Sequence, residues 1–123
     1  MAISGNVQRC WTRVRAQIPV RVTSLDSNSA TFSERCHTLS VNPQGCGVRF
    51  SRPLDPGAQI RVDELPGGSS VKARVTSSIR LASNSKYWLV GICLEKPANL
   101  WCMIPTPADW GSFASVPKFF PAS

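Results

Sequence analysis

The chain has 123 residues, which is enough for one domain but leaves too little core for two. Hydrophobic residues make up 42% of it, which is too high for an intrinsically disordered chain. Lysine and arginine number 14 against 7 acidic residues, and the net charge of +7 favours an anionic partner such as nucleic acid, a nucleotide or a lipid headgroup. The single histidine, His37, excludes any mechanism that needs two histidines.

The sequence shows no targeting signal. Its first residues lack the basic and apolar regions of a secretory signal, and no segment approaches the roughly 20 apolar residues that span a bilayer. The odd number of cysteines includes no Cys-x-x-Cys pair, so we expect reduced, buried thiols and no metal site. The cysteines are Cys10, Cys36, Cys46, Cys93 and Cys102. These features predict a cytoplasmic protein that does not insert into membranes.

Short segments of alternating apolar and polar residues follow one another along the chain and predict an all-β protein. The predicted strands are residues 18–23, 31–39, 46–50, 59–63, 71–75 with 79–81, and 87–95. The first of them is expected to begin at Pro19 or to lie at a sheet edge, because proline lacks an N–H. Turn-forming clusters separate the strands, so we predict a small six-stranded antiparallel β-barrel, in which closure removes exposed edges.

Composition divides the chain into three parts: a basic arm at residues 1–15, a barrel at residues 16–96, and an extension at residues 97–123. The arm holds the densest charge in the sequence, with Arg9, Arg13 and Arg15 close together ahead of the first strand. The extension is expected to contain short helical turns near Trp101 and Trp110 and then a flexible tail. These two tryptophans are expected to cover an open end of the barrel.

No catalytic constellation stands out, and we expect that the protein is not an enzyme. Cys36 and His37 are neighbours, but neighbouring residues on a strand point to opposite faces and cannot readily meet. The carboxylates of Asp63 and Glu64 lie at a strand end, where solvated charges are ordinary. Neither Gly-x-Gly-x-x-Gly nor Gly-x-x-x-x-Gly-Lys occurs, so neither of these phosphate-binding loops is present.

The arginines of the arm have a more suitable chemistry for a binding site. A guanidinium is always charged, and its planar, paired donors match phosphate oxygens and the edge of guanine. Arg9 and Arg13 are four positions apart, so a flexible arm carrying both could wrap a phosphorylated ligand held against the barrel. A solvated basic terminus is the alternative interpretation.

The order of the motifs resembles the PilZ domain family. Arg9-x-x-x-Arg13 precedes a strand and then Ser40-x-Asn42-x-x-Gly45, and the family carries Arg-x-x-x-Arg followed by Asp/Asn-x-Ser-x-x-Gly. The similarity continues through residues 45–48, 54–57, 71–75 and 88–92, and so covers residues 8–96. The ending looks like the C-terminal extension of PilZ-like proteins from soil bacteria such as acidobacteria.

This resemblance implies a six-stranded antiparallel barrel that binds the bacterial second messenger cyclic di-GMP. It implies that Arg9 and Arg13 grip the phosphates and guanine edges, and that Gly45 occupies a turn position where no side chain fits. Ser40 stands where the family has Asp or Asn, and Asn42 stands where the family has Ser. The serine hydroxyl is a weaker acceptor for guanine N–H groups than a carboxylate or an amide.

Three functions are compatible with these observations. The first is a cyclic di-GMP receptor that needs no other cofactor and signals to a downstream protein. The second is a degenerate PilZ module that binds another protein without the nucleotide, with the aromatic residues of the extension as its contact surface. The third is a nucleic-acid-binding barrel, in which exposed arginines form a stripe. The arginines of that stripe are Arg21, Arg49, Arg61, Arg74 and Arg80.

Overall fold

The computed structural model of the protein describes residues 11–26 and 31–114. Its strands are β1 (Val14–Arg15), β2 (Pro19–Ser24), β3 (Ser33–Asn42), β4 (Gly45–Phe50), β5 (Gln59–Asp63), β6 (Val71–Arg80) and β7 (Trp88–Leu94). Two short 3₁₀ turns, Pro66–Gly68 and Ala108–Ala114, complete the elements of the described residues. In that part of the chain no helix has the length and apolar character needed to cross a membrane.

Strands β2 to β7 close into an antiparallel barrel. The strands follow one another around the ring as β3, β2, β5, β6, β7 and β4, and β4 pairs back with β3. The predicted six-stranded antiparallel barrel is therefore confirmed. Since each of these strands has a partner on both sides, the ring has no open edge at which another chain could add a strand.

The short strand β1 pairs with the C-terminal end of β3, along the same edge of β3 as β2. Between β1 and β2 the chain leaves regular pairing, and the buried hydroxyl of Thr38 fills the gap. This hydroxyl donates to the carbonyl oxygen of Ala16 at 2.6 Å and accepts from the N–H of Ile18 at 2.9 Å. The last residues of the basic arm are therefore part of the sheet.

Inward-pointing side chains of every barrel strand form one core. β-branched residues suit the half-buried positions of a strand, and much of this core is valine. The buried valines are Val20, Val22, Val41, Val48, Val62, Val75 and Val90. Burial of one such side chain contributes about 1.5–3 kcal/mol, against about 0–1 kcal/mol for an exposed ion pair, so the core dominates stability.

Two strands are longer than their sequence pattern predicted. β6 runs without a break through Val71–Arg80, and β3 continues to Asn42 rather than ending at residue 39. Each carries an irregularity in its pairing, between Val75 and Ser77 in β6 and between Thr38 and Ser40 in β3. Such bulges interrupt the two-residue alternation on which the prediction depended.

The extension packs onto the barrel. Trp101 and Trp110 are buried within the same core cluster as the strands, and the indole N–H of Trp101 donates to the carbonyl oxygen of Asn42 where β3 enters the hairpin to β4. Asn99 holds the loop before the second turn, with its amide donating to the carbonyl of Met103 and accepting from the N–H of Met103, both at 3.2 Å. The predicted helical turn near Trp110 is the 3₁₀ turn Ala108–Ala114, while the predicted flexible tail falls largely outside the described residues.

Candidate ligand site

The arginine motif and the serine motif meet where β1 pairs with β3. In this pairing Val14 lies opposite Val41 and Arg15 lies opposite Ser40. Arg13, one residue before β1, donates from Nη1 to the Oγ atom of Ser40 at 3.3 Å. Side chains separated by 27 positions in sequence are thus neighbours on the outer surface of the barrel. Arg13 is exposed, and its guanidinium has further N–H donors for an anion.

Asn42 holds the hairpin that connects β3 to β4. Its side chain is buried, and its Oδ1 atom accepts from the backbone N–H groups of Gln44 at 2.9 Å and Gly45 at 3.0 Å. Its Nδ2 atom donates to the carbonyl oxygen of Trp11 at 3.1 Å. An amide offers two acceptor sites and two donor hydrogens, so a single N–H of Asn42 remains for a ligand.

Gly45 is required by the close approach of two strands. It begins β4, and a Cβ atom built on it would lie within 1.8 Å of the carbonyl oxygen of Ile92 on β7. We expected a turn position for this glycine. The steric reason lies instead in the pairing of β4 with β7, where any side chain would force the strands apart.

Two glycines pair next to this hairpin, and the side chains of neighbouring residues cover both of them. Gly47 on β4 and Gly91 on β7 are directly opposite each other, and we call this pair the glycine floor. A Cβ built on Gly47 would lie 2.9 Å from the Cδ1 atom of Leu89 and 3.7 Å from the Oγ atom of Ser40. On the other side, the hydroxyls of Thr76 and Ser77 lie 2.7 and 2.8 Å from a Cβ built on Gly91. The Leu89 side chain and these hydroxyls therefore occupy the space directly over the two glycines.

A cavity of about 190 Å³ opens beside the glycine floor. Its lining residues are Arg13, Asn42, Gln44, Gly45, Thr76, Ile92 and Cys93. Their polar groups are hydroxyl, amide and backbone groups, and the guanidinium is the one ionised group among them. Ligand pockets usually have volumes of about 300–1,000 Å³, so a ligand of ordinary size would extend beyond this cavity.

A larger cavity of about 420 Å³ has a lining that suits an anion less well. Asp26 and Asp55 contribute carboxylates to it. Its guanidinium, from Arg52, already pairs with Glu34 at 3.3 Å and lies over the ring of Phe32 at 5.2 Å from the centroid. The smaller cavity thus has the better chemistry for a negatively charged ligand.

The arm leading to Arg13 is bound to the extension. The backbone N–H and the hydroxyl of Thr12 both donate to Oδ2 of Asp109, at 2.9 and 2.8 Å. The indole N–H of Trp110 donates to the carbonyl oxygen of Thr12 at 2.7 Å. The rings of Trp11 and Phe113 meet edge to face, with their centroids 5.3 Å apart.

These contacts correct our expectation of a flexible arm for the residues next to the barrel. Residues 11–15 are held by the extension on one side and by β3 on the other. Arg9, the first arginine of the motif, lies outside the described residues, as does Cys10.

Two arginines of the predicted nucleic-acid stripe are stacked on aromatic rings. The guanidinium of Arg49 lies 4.1 Å from the ring centroid of Tyr87, and that of Arg80 lies 4.9 Å from the ring centroid of Trp88. Binding of single-stranded nucleic acid depends on bases stacking on free aromatic faces. In this barrel, arginine side chains cover one face of each of these rings.

The thiols of the core are poor nucleophiles. Burial raises the pKa of Cys36 to about 12 and holds the pKa of Cys46 far above its usual range. Cys36 lies opposite the buried Val20, whereas His37 lies opposite the exposed Arg49, so these neighbours point to opposite faces as strand geometry predicted. Among the described residues, no three His, Cys, Asp or Glu side chains are grouped to hold a metal ion.

Sequence reasoning missed several residues of the site. Thr76 and Ser77 belong to a run of three hydroxyl residues that ends at Ser78, within a strand that otherwise alternates. Such an interruption of the two-residue period is a signal of the bulge that places both hydroxyls beside Gly91. The bond between Thr12 and Asp109 spans 97 positions and has no local signal.

Comparisons with known proteins give no match to a family model, to a curated protein or to a solved structure.

Proposed function

We propose that this protein is a cyclic di-GMP receptor of the PilZ type, acting as an effector module in bacterial second-messenger signalling. The observation that carries the proposal is the hydrogen bond from Arg13 to Ser40 at 3.3 Å. It joins the two sequence motifs beside a cavity whose one ionised lining group is a cation. The resemblance of the sequence to the PilZ family supplies the identity of the ligand.

The chemistry of the site suits a cyclic dinucleotide. The guanidinium of Arg13 supplies paired donors for phosphate oxygens. The hydroxyls of Ser40, Thr76 and Ser77, which lie beside the glycine floor, offer donors and acceptors for polar groups of the ligand. The family motif also assigns Arg9 to the ligand, as a second guanidinium on the arm.

The second motif departs from the family pattern, and this sets the expected affinity. Ser40 replaces a carboxylate or an amide, and a charged hydrogen bond is worth about 1.5–3 kcal/mol, or roughly 10- to 150-fold in affinity. Asn42 replaces the family serine and is used by the hairpin and by the arm. We therefore expect weaker binding than a complete motif gives.

Calorimetric titration with cyclic di-GMP tests the proposal. We expect heat of binding for the wild-type protein and none for Arg13→Ala. Arg35→Ala is the matched control, since it removes one exposed guanidinium that pairs with Glu64 elsewhere on the barrel. Cyclic di-AMP, which has the same phosphates and different bases, tests recognition of guanine. Absence of heat from the wild type at about 100 μM protein would overturn the proposal.

A second candidate function is favoured by the bonding of Ser40 and Asn42. Both residues of the second motif already have partners within the protein, Ser40 with Arg13 and Asn42 with Trp11. A PilZ-like module in which this arrangement is permanent would act by binding another protein. A silent titration together with retrieval of one specific partner by the purified protein would favour this alternative.

A further inference from the structure

We propose that Asp109 and Trp110 are positioning residues for the ligand site, acting on Arg13 through Thr12. The inference rests on the proposed function, since its functional readout is the affinity for cyclic di-GMP. It assigns a task to the turn Ala108–Ala114, which neither sequence motif includes.

Every hydrogen-bonding group of Thr12 is taken by this turn. Its N–H and hydroxyl donate to one oxygen of Asp109, and its carbonyl accepts from the indole of Trp110. The ring of Trp110 is fully buried, and a buried indole N–H needs an acceptor. Loss of the bond to Thr12 would leave that donor unsatisfied, so the contact is not an incidental surface one.

The residue before Thr12 is tied to the other side of the site. The carbonyl of Trp11 accepts from Asn42, the residue that holds the hairpin bordering the cavity. The carbonyl of Asn42 in turn accepts from the indole of Trp101 at 2.8 Å. Trp11 and Thr12 are thus fixed between the hairpin and the extension.

This arrangement fixes the backbone of Arg13 while its side chain stays exposed. Thr12 precedes it and is bonded to the turn, and Val14 follows it and is paired with Val41 on β3. A cation anchored in this way loses little conformational freedom when an anion binds. Release of Thr12 would let the guanidinium sample many positions, of which few reach the cavity.

The hydrogen bonds at Asp109 and Trp110 allow variants that keep or remove individual bonds to Thr12. Both bonds from Thr12 go to the same oxygen, so Asp109→Asn can keep them with its amide oxygen. Asp109→Ala removes both. Trp110→Phe keeps the aromatic packing and removes the indole donor, and Asp55→Ala removes an exposed carboxylate elsewhere as the control.

The experiment combines calorimetry with cyclic di-GMP and amide hydrogen exchange of the ligand-free protein. We expect Asp109→Ala and Trp110→Phe to weaken binding by about 5- to 30-fold, and Asp109→Asn to stay within about 3-fold of the wild type. Exchange at Thr12 should accelerate in Asp109→Ala, while the barrel strands keep their protection.

The outcomes separate this inference from the proposed function. If the wild type binds and both Asp109→Ala and Trp110→Phe bind equally well, the positioning role is wrong and the receptor function stands. If the wild type does not bind, the receptor function itself fails. If amide hydrogen exchange in Asp109→Ala rises throughout the barrel, that variant has lost overall stability. Thr12→Val then decides, because it removes only the hydrogen bond from the Thr12 hydroxyl. An unchanged affinity of that variant overturns the positioning role.

Discussion

Two walls of the barrel carry arginines in different environments. On the wall formed by β2, β5 and the start of β3, the guanidinium groups are paired with carboxylates. Arg21 and Arg35 both reach Glu64, at 3.1 and 3.4 Å, and Arg61 reaches Asp63 at 2.6 Å. We call this the paired wall.

The wall formed by β4, β6 and β7, with the arm beside it, is different and is called the open wall. Here Arg49 and Arg80 lie over aromatic rings, and Arg13 bonds to a serine hydroxyl. None of these three forms an ion pair with a described residue. These three guanidinium groups lie on the wall that also carries the cavity, and their charge favours an anionic ligand there.

The largest effect that we predict is a loss of stability caused by separating two strands of the open wall. Gly45→Ala would place a methyl group within 1.8 Å of the carbonyl oxygen of Ile92, which cannot move without separating β4 from β7. We expect a loss of about 3 kcal/mol or more in the free energy of unfolding, measured by urea denaturation.

Gly57→Ala is the control for this prediction. Gly57 has φ of 90° with no atom near its Cβ position, so alanine there should cost only about 1 kcal/mol, from backbone strain. Equal losses from the two variants would contradict the steric explanation given for Gly45.

The difference between predictable and unpredictable parts of the fold follows from the range of the interactions. β5 was predicted at residues 59–63 and lies there, because its alternation is regular and turns bound it on both sides. β1 has only two residues, too few to show a period, and depends on its pairing with β3. The ends of β3 and β6 were missed because bulges shift the alternation.

In the candidate site, too, some features could be predicted from the sequence and others could not. Arg13, Ser40 and Gly45 were named from motifs, and the structure adds that the first two are bonded. The buried hairpin role of Asn42 depends on Trp11 and on the geometry of the loop, so residue type alone could not reveal it. The amide and hydroxyl chemistry of a side chain is visible in a sequence, while its partners are not.

The side chain at position 40 provides a test of which groups beside the open wall bind the ligand. Ser40→Asn introduces the amide that the PilZ motif carries at the corresponding position, and its oxygen can accept from guanine as well as from Arg13. We expect cyclic di-GMP to bind about 10-fold more tightly, as measured by calorimetry. Ser83→Asn, at an exposed position beyond β6, should leave the affinity unchanged. Weaker binding by Ser40→Asn would mean that position 40 does not face the ligand.

A smaller effect is predicted for the paired wall and depends on pH. Burial by itself raises the pKa of Asp63, but hydrogen bonds from Arg61, Ser70 and Thr23 outweigh it and hold the pKa below its ordinary value of 3.8. The resulting stability is present above the unfolded pKa and is lost as the pH falls through the folded pKa. We expect Asp63→Asn to cost about 1 kcal/mol near pH 7, measured by urea denaturation.

The same measurement repeated in acid checks the sign. Below the folded pKa the wild-type carboxyl is protonated, so the difference between the wild type and Asp63→Asn should shrink towards zero. Asp55→Asn, at an exposed position, should show little difference at either pH. A difference for Asp63→Asn that stays constant with pH would assign its effect to packing instead of charge.

The smallest predicted effects compare one neutralised charge on each wall. Arg49 is two residues from Gly47 of the glycine floor, so Arg49→Gln should weaken binding of cyclic di-GMP by about 2- to 5-fold at low salt. Glu64→Gln frees Arg21 and Arg35 on the far wall, and should change the affinity by less than about 2-fold. Because these ion pairs are exposed, Glu64→Gln should also alter stability by less than about 1 kcal/mol.

Ionic strength distinguishes a field effect from a direct contact. The Debye length falls from about 10 Å at 0.1 M salt to about 3 Å at 1 M, so the effect of Arg49→Gln should largely vanish in the high-salt titration. An effect that persists at high salt would place Arg49 in contact with the ligand. Arg49→Gln lowers the net charge by one and Glu64→Gln raises it by one. Effects of equal size and opposite sign at low salt would remove the distinction between the walls, because the ligand would then respond to the net charge of the protein and not to where that charge lies.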